Sequence, residues 1–294
     1  MPDTESANFA NVMVAPTPRD PSYSMWFGRI FLATVRREIA EVGRYRMAVL
    51  VRLLTLALGA ISFYFLSQFV GVAPNHHLER YGSSYLAFGI VGLVAMDLQH
   101  VGVSVFSQRV RMAQVMGYLE AQLASPAPAW LVLAGSPVYD FGVAGLRSVA
   151  YLAGASFIFQ VRFGHMQLAS VLLVSLLVLL AFVGLGLLTG AGTLLARRAN
   201  PVAAVLGGLS LFLSGVVYPV SVLPSWLQSI ARLLPLTHAL EALRRALLQG
   251  ASPRELAPSL LALGLFAAIL APAGFGLFAY GLYRARIDGS LTHY

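Results

Sequence analysis

Residues 211–250 read LFLSGVVYPVSVLPSWLQSIARLLPLTHALEALRRALLQG. The run opens as the end of an apolar helix. It is broken at Pro219, Pro224 and Pro235, and it carries two short amphipathic segments. Proline removes a backbone donor and stops a helix. In lipid, irregular backbone survives only where protein or water covers it. The stretch is therefore expected at one face of a membrane protein, partly re-entering the bilayer. Its short helices would lie over whatever the remaining helices enclose.

Composition agrees. The 294 residues are 58% hydrophobic and 11% charged, with a mean hydropathy of +0.74. A soluble domain carries about 25% charged residues. That deficit, with apolar runs of about 20 residues, points to a bilayer protein. The fold class expected is an all-α integral membrane protein. The formal charge is +8, and all 20 basic residues are arginine. In a membrane protein that charge is read by the loops that hold it, and no nucleic-acid partner is implied. With no cysteine, disulfides, thiol catalysis and cysteine metal sites are excluded. With no lysine, the chain has no P-loop, because that motif reaches nucleotide phosphates with a lysine.

Around the decisive stretch the chain divides simply. Residues 1–21 are polar and proline-rich, a loose tail without the pattern of a signal peptide. In 22–46, Phe27, Phe31, Val35, Ile39 and Val42 recur every three or four residues, and arginines fall mostly opposite. That pattern predicts an amphipathic helix on the membrane surface. Six spans are expected at about 47–72, 85–107, 130–159, 168–195, 202–218 and 260–283, within a permease domain of 47–286. Residues 287–294 form a tail. Gly186 and Gly190, four apart, permit close helix packing. His76 and His77 are adjacent and have no further ligands nearby, so no metal site is expected.

Four ionisable residues fall within spans: Asp97 and His100 in the second, Asp140 and Arg147 in the third. Such groups face protein or water rather than lipid. The plain reading is structural, with Arg147 a partner for Asp97. The sharper reading is cargo contact, or proton coupling in an ion-coupled secondary transporter. An integral membrane enzyme would need convergent acids, histidines or nucleophiles, and these residues are scattered. Tyr64, Tyr85, Tyr151, Tyr218 and Trp226 lie near span ends. They suit interfacial belts or a route lining.

Arginine placement sets the sidedness. Thirteen arginines lie on the side of the termini and six (Arg80, Arg162, Arg232, Arg244, Arg245, Arg254) on the other. The bias puts both termini in the cytoplasm. Arg244 and Arg245, beside Glu241, are expected as a solvated or headgroup-facing patch.

The decisive stretch resembles the C-terminal signature of type-two ABC exporter permeases, nearest the groups that export polysaccharides, lipo-oligosaccharides and hydrophobic drugs. The family pattern S-G-x-x-[FY]-P corresponds to Ser214, Gly215, Tyr218 and Pro219. Its L-P-x-x-[LF]-Q corresponds to Leu223, Pro224, Leu227 and Gln228, and its P-L-[ST]-[HY]-A-x-[ED]-x-[LI]-R to Pro235 through Arg244. Separately, the loop after the second span resembles G-T-L-E-x-L-L-x-S-P. Here it has Gly117, Leu119, Glu120, Ser125 and Pro126, with Tyr118 for the threonine and Gln122 for a leucine. The resemblance covers about residues 22–286.

The resemblance implies a half-transporter in the inner membrane. Two permease copies, a homodimer, would pair above two ATPase chains, which hold the ATP and Mg; this chain would hold no cofactor. Gly117, Tyr118, Leu119, Glu120, Ser125 and Pro126 would form a coupling helix seated on the ATPase. Gly215, Tyr218, Pro219, Pro224, Trp226, Pro235, Glu241 and Arg244 would close the outer end of the route. The cargo implied is an amphiphile, a lipid-linked glycan or glycolipid first and a hydrophobic drug second. Lipid is the surrounding partner.

Overall fold

The structure is a computed structural model. It describes residues 36, 46–70, 84–117, 129–161, 163, 166–196 and 202–287. The expected tail, most of the amphipathic helix, His76 and His77, and Tyr118 through Pro126 lie outside the described residues.

Among the described residues the long elements are all helices: α1 (Arg46–Val70), α2 (Tyr85–Val115), α3 (Ala129–Ile158), α4 (Leu168–Ala196) and α5 (Val202–Leu213). A short 3-10 turn, Val220–Val222, then precedes α6 (Ser225–Ala231), α7 (Pro235–Leu248) and α8 (Ala257–Ile287). No strand occurs among the described residues. By length and composition, four helices suffice to cross a membrane: α2, Pro137–Ile158 of α3, α4, and Ala257–Ala285 of α8. The apolar parts Ala57–Phe69 of α1 and Ala203–Leu213 of α5 are shorter.

Lipid tails are as apolar as leucine, so close packing and polar bonds must hold such helices together. The glycines supply the packing. A Cβ on Gly186 would stand 2.1 Å from the Gly102 carbonyl oxygen, and one on Gly102 would stand 2.5 Å from Phe182 Cβ. On another face of α4, a Cβ on Gly184 would lie 2.6 Å from the Leu270 backbone, and one on Gly274 would lie 2.5 Å from the Gly184 carbonyl. Thus α4 sits between α2 and α8, nearly backbone to backbone, and all three run in the same direction. Thr189 adds a hydroxyl donated to the Val103 carbonyl across the α2–α4 contact.

Two elements end elsewhere than the sequence led us to expect. The second helix runs on past Ser107 to Val115, so Arg109 and Arg111 belong to it rather than to a loop. The fifth stops at Leu213 after 12 residues. That is about 18 Å, short of a hydrocarbon core of roughly 30 Å. The break falls where Gly215 takes φ +84°, a conformation L side chains rarely adopt.

Candidate functional site

A helix that stops inside the protein leaves its last carbonyls without partners. In a low-dielectric surrounding each such group costs several kcal/mol. The segment from Phe212 to Leu248 meets this cost with side-chain donors. The Tyr218 hydroxyl donates to the Phe212 carbonyl at 2.5 Å. Gln228 Nε2 donates to Leu223 at 2.8 Å. The Thr237 hydroxyl donates to Ala231 at 2.6 Å, and His238 Nε2 stands 2.9 Å from the Arg232 carbonyl. Each of these side chains follows a break in the helix run. Pro235 opens α7 at its first turn, where its missing N–H is not needed.

Arg244 makes the largest of these connections. It is 3% exposed, within the α7 face formed by Leu236, Leu240, Leu243 and Leu247. Its Nη1 donates to Gly215 O at 2.8 Å, and its Nη2 to Val216 O at 3.1 Å and Phe88 O at 3.2 Å. The guanidinium carbon lies 3.3 Å from the centre of the Phe88 ring. The next carbonyl, Val217, accepts from the Tyr85 hydroxyl at 2.8 Å. Gly92 admits this arrangement, since a Cβ there would lie 2.6 Å from Val216 O and 3.2 Å from Arg244 Nη2. The headgroup-facing patch expected for Arg244 is therefore corrected: the planar fork is buried because three carbonyls converge on it. Arg245, its neighbour, is half-buried.

The other residues expected at this end differ in burial. Pro219 is buried, Tyr218 and Glu241 are half-buried, and Pro224 and Trp226 are exposed on the turn and α6.

The intramembrane charges of α2 and α3 meet in pairs. Arg147 Nη2 and Nε donate to Asp97 Oδ2 at 2.8 and 3.1 Å, with side-chain exposures of only 10% and 9%. Arg109 Nη2 donates to Asp140 Oδ2 at 2.9 Å, where both side chains are more open. Asp140 and Arg147 thus face one helix, and their partners on α2 are twelve positions apart.

His100 lines a groove of about 830 Å³ between α2 and α5. The α2 wall presents Gln99, His100, Ser104, Ser107, Gln108 and Arg111, and the α5 wall Ala203, Ala204, Gly207 and Gly208. Gln99 is 5% exposed, and its Nε2 donates to Ser210 of α5 at 2.7 Å while its Oε1 has no protein partner. The groove was not foreseen, although a signal existed. His100, Ser104, Ser107 and Arg111 are spaced four, three and four apart, a polar stripe on one face of an otherwise apolar helix. Ending the second span at Ser107 split the stripe and hid it.

Of the residues expected to couple to an ATPase, Gly117 is described. It follows α2 directly, with φ +70°, where its amide donates back to Gln114 at 3.2 Å. Tyr118, Leu119, Glu120, Ser125 and Pro126 lie outside the described residues. No group of three or more His, Asp or Glu able to hold a metal ion occurs among the described residues.

Long apolar helices packed through glycine, with a groove of polar and apolar side chains along one of them and a covered helix break beside it, make up a multi-pass membrane protein. The chain belongs to the ABC-2 type transporter family, whose family model matches residues 29–248. It is 28% identical over 204 residues to the probable multidrug ABC transporter permease YbhR of Escherichia coli (strain K12), an alignment covering 69% of this chain and 54% of the relative. The protein of the same name from Escherichia coli O157:H7 matches to the same extent. The chain thus spans about half the length of the curated relatives it matches.

Proposed function

We propose that this chain is the membrane-spanning subunit of an ATP-driven exporter of amphiphiles. Two identical copies pair in the inner membrane with both termini cytoplasmic. Two separate ATPase chains dock beneath them and carry the ATP and Mg. Residues 117–126 form the helix that couples to the ATPase, and the segment from Gly215 to Arg244 closes the outer end. The observation that carries this reading is the largely apolar groove along α2, with His100, Ser104, Ser107 and Arg111 set among Met96, Val103 and Met112, and reaching Val115, two residues from Gly117. Its volume suits a drug-sized molecule. The relatives' description as probable multidrug permeases points the same way, so a hydrophobic drug now stands ahead of a lipid-linked glycan or glycolipid as cargo.

The first test is purification of the tagged protein from its native membrane in mild detergent, with mass spectrometry and an ATPase assay. A co-purifying P-loop chain is expected, with ATP turnover stimulated by the permease and lost when Glu120 is replaced by arginine. A permease that purifies alone, without ATP turnover, would sink the reading. A second expectation concerns the groove. Nothing lies within 4 Å of a Cβ built on Gly207. Gly207→Val is therefore expected to fold as the parent protein does. Because added bulk in a binding pocket costs about 1–3 kcal/mol, efflux of a hydrophobic dye should fall roughly tenfold. Efflux unchanged by that variant would remove the groove from the route.

The ion-coupled alternative is disfavoured by the Asp97–Arg147 bond, which already engages the carboxylate. Under that alternative Asp97→Asn should abolish transport in a normally folded protein.

A further inference from the structure

We infer that Arg244 and Tyr85 clamp the broken segment to the outer end of α2, so that α2 works as one lever between that segment and the Gly117 end. The direction of work, motion entering at the Gly117 end, rests on the exporter reading above. The clamp itself rests on geometry.

The lever is continuous. Helix α2 has 31 residues and no proline. It therefore reaches about 46 Å without a break. Its last turn precedes the segment expected to meet the ATPase. Its first turns carry Tyr85, Phe88 and Gly92, which share one helix face by their spacing of three and four residues. All three engage the break. Tyr85 holds Val217, the Phe88 carbonyl and ring hold Arg244, and Gly92 lets Val216 come close.

The clamp is also selective. Helix α7 packs against α4 and α8 as well as α2. Apolar contacts between side chains tolerate small sliding movements, as in shear motions of packed helices. Hydrogen bonds from one rigid guanidinium to three backbone carbonyls fix a register. The exposed tip at Ser225–Ala231 packs mainly on α5 and the Val220–Val222 turn, so it follows its root. Arg244 is thus a positioning residue that joins the tip, the break in α5 and the outer end of α2 into one body.

The chain has no cysteine, so two can be introduced as spin-label sites. Val115, at the far end of α2, and Leu233, just after α6, are 61% and 72% exposed. Labels at Val115→Cys and Leu233→Cys in the purified permease should show a narrow distance distribution. Arg244→Met should broaden it. Arg244→Lys should broaden it too, because an ammonium lacks the planar fork that spans the carbonyls. Tyr85→Phe, which removes a single hydroxyl, keeps the measurement open should an Arg244 variant fail to fold; it should broaden the distribution less. Distributions as narrow in the variants as in the parent overturn the clamp.

In the complex with the ATPase, trapping with ATP and vanadate should leave the parent distance unchanged, and a shift would overturn the lever. Arg244→Lys should keep ATP turnover while cargo export falls roughly tenfold, the size of a typical coupling free energy. Export and turnover falling together would reduce Arg244 to a merely structural role and overturn the inference. Should no ATPase co-purify, the exporter reading fails, and the distances in the permease alone still decide the clamp.

Discussion

Asp97→Ala is expected to destabilise the bundle by about 3–5 kcal/mol, the cost of leaving one member of a buried ion pair alone. Arg147 sends two donors to one carboxylate oxygen of Asp97, and both side chains are about nine-tenths buried. Removing the carboxylate strands a guanidinium between α2 and α3. The expected readout is a fall in the thermal unfolding midpoint in detergent on the order of 10 °C. Asp97→Asn keeps an acceptor and should lose less. The double variant Asp97→Leu with Arg147→Met should recover most of the loss, since replacing both members by apolar groups of similar size is often neutral. Recovery by the double variant, with export retained, would identify the pair as structural. Single variants that melt with the parent protein would show that the pair does not hold the helices.

Gly186→Val is expected to prevent assembly of the bundle. The first added carbon would stand 2.1 Å from the Gly102 carbonyl oxygen, with Phe106 Cδ2 at 2.7 Å. Ordinary overpacking costs about 1–3 kcal/mol when side chains are free to shift. Here the obstacle is backbone on a neighbouring helix, so α2 and α4 must separate, and the Thr189–Val103 hydrogen bond goes with them. The variant should appear in size-exclusion chromatography as aggregate or be degraded in the cell. Gly142→Val, where nothing lies within 4 Å, is the matched control and should behave normally. A monodisperse Gly186→Val protein of parental stability would show that close approach of these helices is not required.

The helices themselves were legible because a bilayer imposes a simple rule: about 20 apolar residues make a span. The third and fourth helices fall at Ala129–Ile158 and Leu168–Ala196, within a residue of where hydropathy puts them. The glycine spacing at Gly186 and Gly190 likewise pointed to the close contact. Hydropathy failed at the ends. It stopped the second helix at the first polar cluster, Ser107 to Arg111, although those residues continue the same helix, with Ser107, Gln108 and Arg111 on the groove and Arg109 on Asp140. It extended the fifth helix through an apolar run, although Gly215 turns the backbone there. Polarity marks where a helix leaves lipid; it does not mark where a helix stops.

Arg244 shows the same limit at a single residue. A pair of arginines beside a glutamate on an amphipathic run reads as a wet surface, and Arg245 is half-buried. For Arg244 the interior provides what water would otherwise supply, three carbonyls and an aromatic face. Those acceptors come from Phe88, 156 positions away, and from Gly215 and Val216, 29 and 28 positions away.

By itself, then, the sequence determined an all-helical membrane protein, its long helices, the broken segment, and the family to which its motifs belong. These depend on local hydrophobicity, on proline, and on short-range spacing, and they are written in consecutive residues. The tertiary structure alone decided which charges pair, which face of α2 borders a groove, and where the Arg244 guanidinium is buried. Each of these depends on groups brought together from distant parts of the chain, and the energy of a buried polar group is set by the partners that surround it.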